Sequence, residues 1–343
     1  MSTRIESMDQ FRGYTVAGMF LVNFIGSFAA VHPVFKHHNN YCSYADTIMP
    51  QFFFAVGFAL RLVMLRNPDY KKAVHRCLAL LLVGFLIYHL DGNYRRWADL
   101  EALGLTGVLS QTFWRSPFQA LVHIAITSLW ILPVITASAR QRLAFAAASG
   151  LLHLALSAWF WYDLLQAKRV IDGGPLGFLT WTLPTLAGTF AYDWIRQDHT
   201  IPRLLKWGSA LMLGGYALSC LNHGGALVPP PFWPPTAPSD LFTMSQRAGS
   251  LSYLTFSSGF SFAVYALFVW LVDQKQKRWE LFAVLGQNAL AGYIIHSWVA
   301  DAFSPFGPKD SPLWWALLLF SAYFYVSYRV VRYLNQHKMF LRL

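Results

Sequence analysis

Residues 4–60 read RIESMDQFRGYTVAGMFLVNFIGSFAAVHPVFKHHNNYCSYADTIMPQFFFAVGFAL. Two apolar runs flank a short loop crowded with groups that can do chemistry. Ser7 and Gln10 have the spacing of a capping box, with Asp9 in the first turn of the helix that follows. After Arg12 and Gly13 the chain carries no charge until Lys36, and Asn23 sits inside that uncharged run. Asp9, Arg12 and Asn23 fall near one helical face, because 11 residues make almost a whole number of turns. Asn23 then stands ~16 Å beyond Arg12 along the axis. A polar stripe running into a membrane is costly against lipid, so it should face the protein interior.

Working outward, the whole composition agrees with a membrane setting. Hydrophobic residues make up 55% of the 343, charged residues only 13%, and the mean hydropathy is +0.37. Soluble chains carry about 25% charged residues. About ten runs approach membrane length: Tyr14–Val31, Thr47–Leu65, Ala73–Leu90, Phe118–Ala137, Leu143–Tyr162, Pro175–Tyr192, Trp207–Leu221, Ala248–Val272, Leu281–Ala300 and Pro312–Tyr328. The expected fold is therefore all-α, a polytopic membrane protein of about ten transmembrane helices, with residues 1–343 as one domain. Residues 99–113 form a shorter apolar run, expected to lie at the interface or to re-enter. Pro229 to Pro238, with six prolines, is too stiff for helix.

The net charge of +11 is what cytoplasmic loops of such a protein carry and does not imply nucleic acid. With the N-terminus in the cytoplasm, nineteen Lys and Arg fall on the inner side and eight on the outer. Both termini are thus expected in the cytoplasm, the 37–46 loop outside and Arg61 to Arg76 inside. The three cysteines are scattered and imply no disulfide framework. No Cys/His cluster has zinc spacing. No cleavable leader is visible.

The run R-x-x-S-x-D-x-F-R-G, then V-N, F-K-H, and A-D-x-x-x-P-x-F-x-F-x-x-G resembles the heparan-α-glucosaminide N-acetyltransferase family. Arg4, Ser7, Asp9, Phe11, Arg12, Gly13, Val22, Asn23, Asp46, Pro50, Phe52, Phe54 and Gly57 carry the match. Weaker likeness continues at Gly174-Pro175-Leu176-Gly177 with Thr182-Leu183-Pro184, and at Gln287-Asn288-Ala289-Leu290. The resemblance implies a transmembrane acyltransferase that takes acetyl from cytoplasmic acetyl-CoA. The acceptor would be an amino sugar or glycan hydroxyl on the outer side. The family places a loop His ten residues before the Asp; here that position is Lys36, and His37 and His38 stand beside it.

The residues can be weighed on their own chemistry. Acetyl transfer needs a base to take the acceptor's proton, and imidazole titrates in the right range. His37 and His38 are the candidates, with His38 preferred because it begins the run toward Asp46. Asp46 would orient the ring; the plainer alternative is that it caps the second helix. Asn23 could polarise a thioester carbonyl or serve as an interhelical hydrogen bond. Arg12, paired with Asp9, and Arg61 and Arg76 suit the donor's phosphates; positive-inside topology explains the same residues without a ligand. Among His89, His123, His153 and His296, the last ranks first, lying eight residues beyond Asn288 on nearly the same face. The partners expected are acetyl-CoA, a sugar or glycan acceptor and the lipid bilayer, with a homodimer left open. A bacterial inner membrane is expected ahead of a lysosome-like one. The rival readings are a transporter of a sugar or lipid-linked glycan, and a membrane subunit without turnover.

Overall fold

In the computed structural model, which describes residues 4–89, 96–112, 118–167, 170–195, 197–221, 226–234 and 238–341, helices follow one another along the chain and no strand occurs among those residues. In order they are α1 (Glu6–Ile25), α2 (Tyr44–Arg66), α3 (Tyr70–His89), α4 (Trp97–Thr112), α5 (Ala120–Ile131), α6 (Ala139–Leu156) and α7 (Tyr162–Ala167). Then come α8 (Phe178–Trp194), α9 (Thr200–Ser219), α10 (Leu251–Phe268), α11 (Glu280–Gln287), α12 (Ala289–Phe303) and α13 (Leu313–Gln336). A π-helical turn, Ser157–Trp161, joins α6 to α7, and another, Val269–Gln274, extends α10.

The all-α expectation holds. Among the described residues, three helical stretches are long and apolar enough to cross a membrane: Tyr44–Arg66, Ala139–Gln166 and Leu251–Gln274. Apolar side chains also face outward elsewhere. Leu78, Leu82 and Leu86 repeat every fourth residue on α3, and all three are exposed, a stripe suited to lipid.

Two contacts fix the frame that holds the loop after α1. Helices α2 and α8 meet backbone to backbone: a Cβ on Gly57 would lie 1.7 Å from Thr185 O, and one on Gly188 would lie 1.9 Å from Phe54 O. Helices α1 and α11 meet the same way, with Gly13 against Phe282 O at 1.8 Å and Gly286 against Asp9 O at 1.8 Å. Small residues at such crossings let dispersion act between whole helices where lipid offers no hydrophobic drive. Phe11, Phe54, Phe58 and Tyr265 fill the space between α1, α2 and α10.

One local expectation, the cap of α1, is corrected. Helix α1 starts at Glu6 after Ile5, without a side-chain cap. Ser7 instead lies near Tyr265 Oη at 3.4 Å, and Gln10 Oε1 accepts from Trp279 N at 3.0 Å. Tertiary partners have taken both polar groups of the expected capping box. The run 99–113 belongs largely to α4, which breaks at Gly104, a residue with positive φ; Phe113 lies outside the described residues, as do Arg95, Arg115, Lys168, Arg169, Arg196 and Arg342 from the charge count. The proline segment is anchored by Phe232 N donating to Cys42 O at 2.7 Å.

Candidate active site

The loop between α1 and α2 is built around Asp46. Ser43 caps α2, and Asp46, three residues on, reaches back to Ser43 N at 2.9 Å, completing a capping box. The same carboxylate does more than cap. Its Oδ1 accepts from His37 Nδ1 at 2.9 Å and from His38 N at 3.4 Å. Asp46 is wholly buried, and three donors compensate its charge. Tyr253 from α10 donates to its backbone carbonyl at 2.6 Å and ties the start of α2 to the bundle.

The sequence preference for His38 over His37 meets the opposite geometry. His38 is turned away: Nε2 donates to Pro33 O at 2.8 Å and the ring stacks on Tyr41 with centroids 4.2 Å apart. His37 is the imidazole held by Asp46. Its Nδ1–H points at the carboxylate, which turns Nε2 to the far side of the ring. The spacing could not separate them, because two adjacent loop residues differ only in the turn that presents them.

His37 lies on the wall of a cavity of about 490 Å³, within the usual size of small-molecule sites. Its side chain keeps 44% of its surface accessible. Asn23 shares the wall and is exposed there, although its neighbours on α1, Val22 and Phe24, are buried. Asn23 Nδ2 donates to His296 Nε2 at 3.3 Å. His296 Nδ1 donates in turn to Tyr293 O, which fixes a neutral tautomer with Nε2 as the acceptor. One amide hydrogen and the carbonyl oxygen of Asn23 thus remain for a ligand. His296, ranked first among the histidines of the apolar runs, is therefore on the cavity. His123 and His153 are buried elsewhere, on α5 and α6, and the His89 side chain lies outside the description.

A second carboxylate, which the sequence reading missed, borders the same space. Asp172 sits before α8 in the left-handed region (φ 55°) and is 6% exposed. Its Oδ1 accepts from Gln246 Nε2 at 3.0 Å, and its backbone carbonyl from Trp181 Nε1 at 2.8 Å. Gly173 N donates to Arg247 O at 2.9 Å and Thr180 Oγ1 to Gly249 O at 2.6 Å, locking the 170–177 segment to the 245–250 turn. The signal was present. The positive-inside alternation puts both segments on the side of the 37–46 loop, and Asp172 is an acid just ahead of a Gly-Gly-Pro break.

His37 and Asp172 are both displaced from their ordinary values. Burial acts to lower the His37 pKa, but the hydrogen bond and charge of Asp46, with Asp172 and Gln246, raise it overall. Burial pushes Asp172 up to about 6, against the opposing influence of Gln246 and His37.

The basic residues divide into two groups. Arg12 pairs with Asp9 at 2.9 Å and donates through Nε to Gly286 O at 2.6 Å, pinning α1 to α11; Arg4 also bonds Asp9. Arg76 is exposed on α3 and close enough for its charge to act on Arg12. Arg61 has another setting. Its Nε and Nη2 bond both oxygens of Asp193 at 3.1 and 3.3 Å, and Nη1 donates to Ile135 O and Ala137 O. Arg142, buried on α6, bonds the same Asp193 and Thr189. Arg61 is thus committed to a buried ion network joining α2, α6 and α8, whereas sequence alone offered it as a phosphate ligand.

Around one cavity the chain gathers an acid-oriented imidazole, an amide that can donate to a developing oxyanion, and a second buried acid. That set can take a proton from a nucleophile and stabilise charge on a carbonyl oxygen. No curated protein matches the chain. The profile of the heparan-α-glucosaminide N-acetyltransferase catalytic region matches residues 4–219. Asn23, His37, Asp46 and Asp172 fall inside that stretch, and Gln246 and His296 beyond it. The chain belongs to the heparan-α-glucosaminide N-acetyltransferase family.

Proposed function

We propose that this protein is a transmembrane acetyltransferase that takes acetyl from cytoplasmic acetyl-CoA and passes it to an amino sugar or glycan hydroxyl on the outer side. One observation carries the reading: His37 Nδ1 is held by Asp46 at 2.9 Å while His37 shares a 490 Å³ cavity with Asn23. We read residues 1–343 as one acyltransferase domain of about ten spans with both termini cytoplasmic. The charge asymmetry of the loops and the outward Leu stripe on α3 support that reading.

In this mechanism the acceptor attacks the thioester carbonyl directly. His37 Nε2 takes the acceptor's proton, and Asp46 steadies the imidazolium that results. Asn23 donates its remaining amide hydrogen to the oxygen on which charge develops. The carbon–sulfur bond then breaks, and the leaving thiolate takes the proton from His37. Arg12, toward the end of α1 away from the cavity, and Arg76 on α3 would meet the donor phosphates; the polar face from Arg12 to Asn23 would guide the donor's arm.

The test uses purified protein in liposomes, labelled acetyl-CoA on one side and a panel of amino sugars and neutral glycans on the other. Label on the sugar supports the reading. Sugar that crosses unmodified, with no label transferred, contradicts it and makes the protein a transporter.

A further inference from the structure

Asn23 carries the oxyanion role proposed above, yet α1 by itself does little to aim its amide. The residue is exposed on the cavity, and its side chain bonds to His296 Nε2 at 3.3 Å. Among the described residues no other partner is bonded to that side chain. An asparagine held by nothing samples several rotamers, and either end of its amide can face a ligand. The orientation therefore comes from His296.

The bonds run in one sense only. Tyr293 O is a carbonyl and accepts, so His296 Nδ1 carries the hydrogen. In that tautomer Nε2 is a bare lone pair and accepts. Asn23 must then offer its Nδ2 and not its oxygen. A backbone carbonyl on α12 thus decides, through the imidazole, which end of an amide on α1 is anchored and where its second N–H stands. The ring itself is fixed. Phe20 stacks on it with centroids 5.6 Å apart and planes 13° from parallel, and the Tyr293 ring meets it at 5.5 Å. One turn earlier, a Cβ on Gly292 would lie 3.2 Å from Val16 Cγ1, so α12 keeps close to α1 along the same face.

We propose that His296 is a positioning residue of the reaction: as a fixed acceptor on α12 it turns the Asn23 amide so that one N–H faces the developing oxyanion. The inference rests on the acetyltransferase reading and adds to it a residue from beyond the stretch 4–219 that the family profile covers. In this role His296 gives and takes no proton, and His37 remains the base. The benefit falls on the transition state, because an oxyanion donor acts most strongly when it needs no reorganisation. Turnover should therefore depend on His296, and donor binding should not.

His296→Leu removes the acceptor and keeps an apolar side chain beside Phe20. His296→Gln puts back a carbonyl oxygen at a similar reach from the backbone. Purified full-length protein in liposomes is assayed for labelled acetyl transfer to glucosamine, with both variants made in the wild-type and Asn23→Ala backgrounds. Removing an oxyanion donor outright costs about 10²–10³-fold in kcat, the loss expected for Asn23→Ala. His296→Leu should lower kcat by about tenfold or more, as a misaimed group does, and leave KM for acetyl-CoA unchanged. In the Asn23→Ala background it should cost nothing further, since residues that act as a unit are not additive. His296→Gln should recover most of the rate. Wild-type kcat in His296→Leu, an equal loss in both backgrounds, or no recovery by His296→Gln overturns the proposal. The contact is also read without turnover. The side-chain amide resonance of Asn23, from protein with isotope-labelled asparagine in nanodiscs, is identified by its loss in Asn23→Ala. It should shift in His296→Leu and return in His296→Gln. Transfer by wild type with no shift sinks the His296 assignment and spares the enzyme. The shift without any transfer by wild type sinks the acetyltransferase reading and keeps His296 as the group that orients Asn23.

Discussion

Replacing Asp172 by asparagine should make the fold more stable at neutral pH and leave it little changed in acid. The folded carboxyl titrates at about 6 against an ordinary 3.8. Between those values the folded chain holds the proton more tightly than the unfolded one, so stability falls as pH rises through that window. Above it the ionised group weighs against the fold by roughly 3 kcal/mol, from about two units at 1.36 kcal/mol each. Asparagine removes that cost. Part of the gain is offset, because the Asp172 charge also favours protonated His37. Thermal melts of wild type and variant in one detergent at pH 4 and pH 7.5 give the comparison. The variant's advantage should be small at pH 4 and open toward pH 7.5. A variant that melts lower at pH 7.5, or a gap that ignores pH, would show that the ionised carboxylate is already satisfied in the fold.

Other consequences follow from particular contacts. The rate at saturating donor should rise with pH through a value above 6.5, because the raised His37 pKa delays formation of the free base; a pH–rate profile that is flat from 6 to 8.5 contradicts His37 as base. The same raised pKa gives the fold a contribution present below 6.5 and lost as pH climbs through the folded value, which His37→Ala should abolish in melts. Asp193→Ala leaves Arg61 and Arg142 buried without their shared partner and should cost about 3–5 kcal/mol, seen as a large drop in melting temperature; a near-neutral result means water or another anion replaces the carboxylate. Arg12→Ala should weaken acetyl-CoA binding more than acetyl-pantetheine binding in a competition assay, and equal losses for both would leave Arg12 only its contacts with Asp9 and Gly286.

The sequence carried the helical class and the loop that bears the chemistry, because composition and a dense motif both report on them. Much of the motif proves to be packing. Gly13 and Gly57 sit where two helices touch through their backbones, and Phe11 and Phe54 fill the space between them. Asp46 is both the cap of α2 and the orienter of His37, so neither of the two readings weighed for it excludes the other. What spacing could not supply was contact across the chain. Asp172 and Gln246 come from segments 74 residues apart, and Arg61 meets Asp193 across 132; no local pattern announces either pair. His37 and His38 are neighbours in sequence, and only the turn after Pro33 decides which ring faces Asp46.

The central claim is that His37 on this cavity performs acetyl transfer, and one measurement bears on it most directly. Initial rates of labelled acetyl transfer from acetyl-CoA to glucosamine are compared for wild type, His37→Ala and His38→Ala in liposomes, each with acetyl-CoA affinity measured in parallel. The account predicts a loss of about 10²–10⁴-fold for His37→Ala with donor binding intact, and an effect of a few fold at most for His38→Ala. Wild-type transfer by His37→Ala, or the large loss falling on His38→Ala instead, would contradict it.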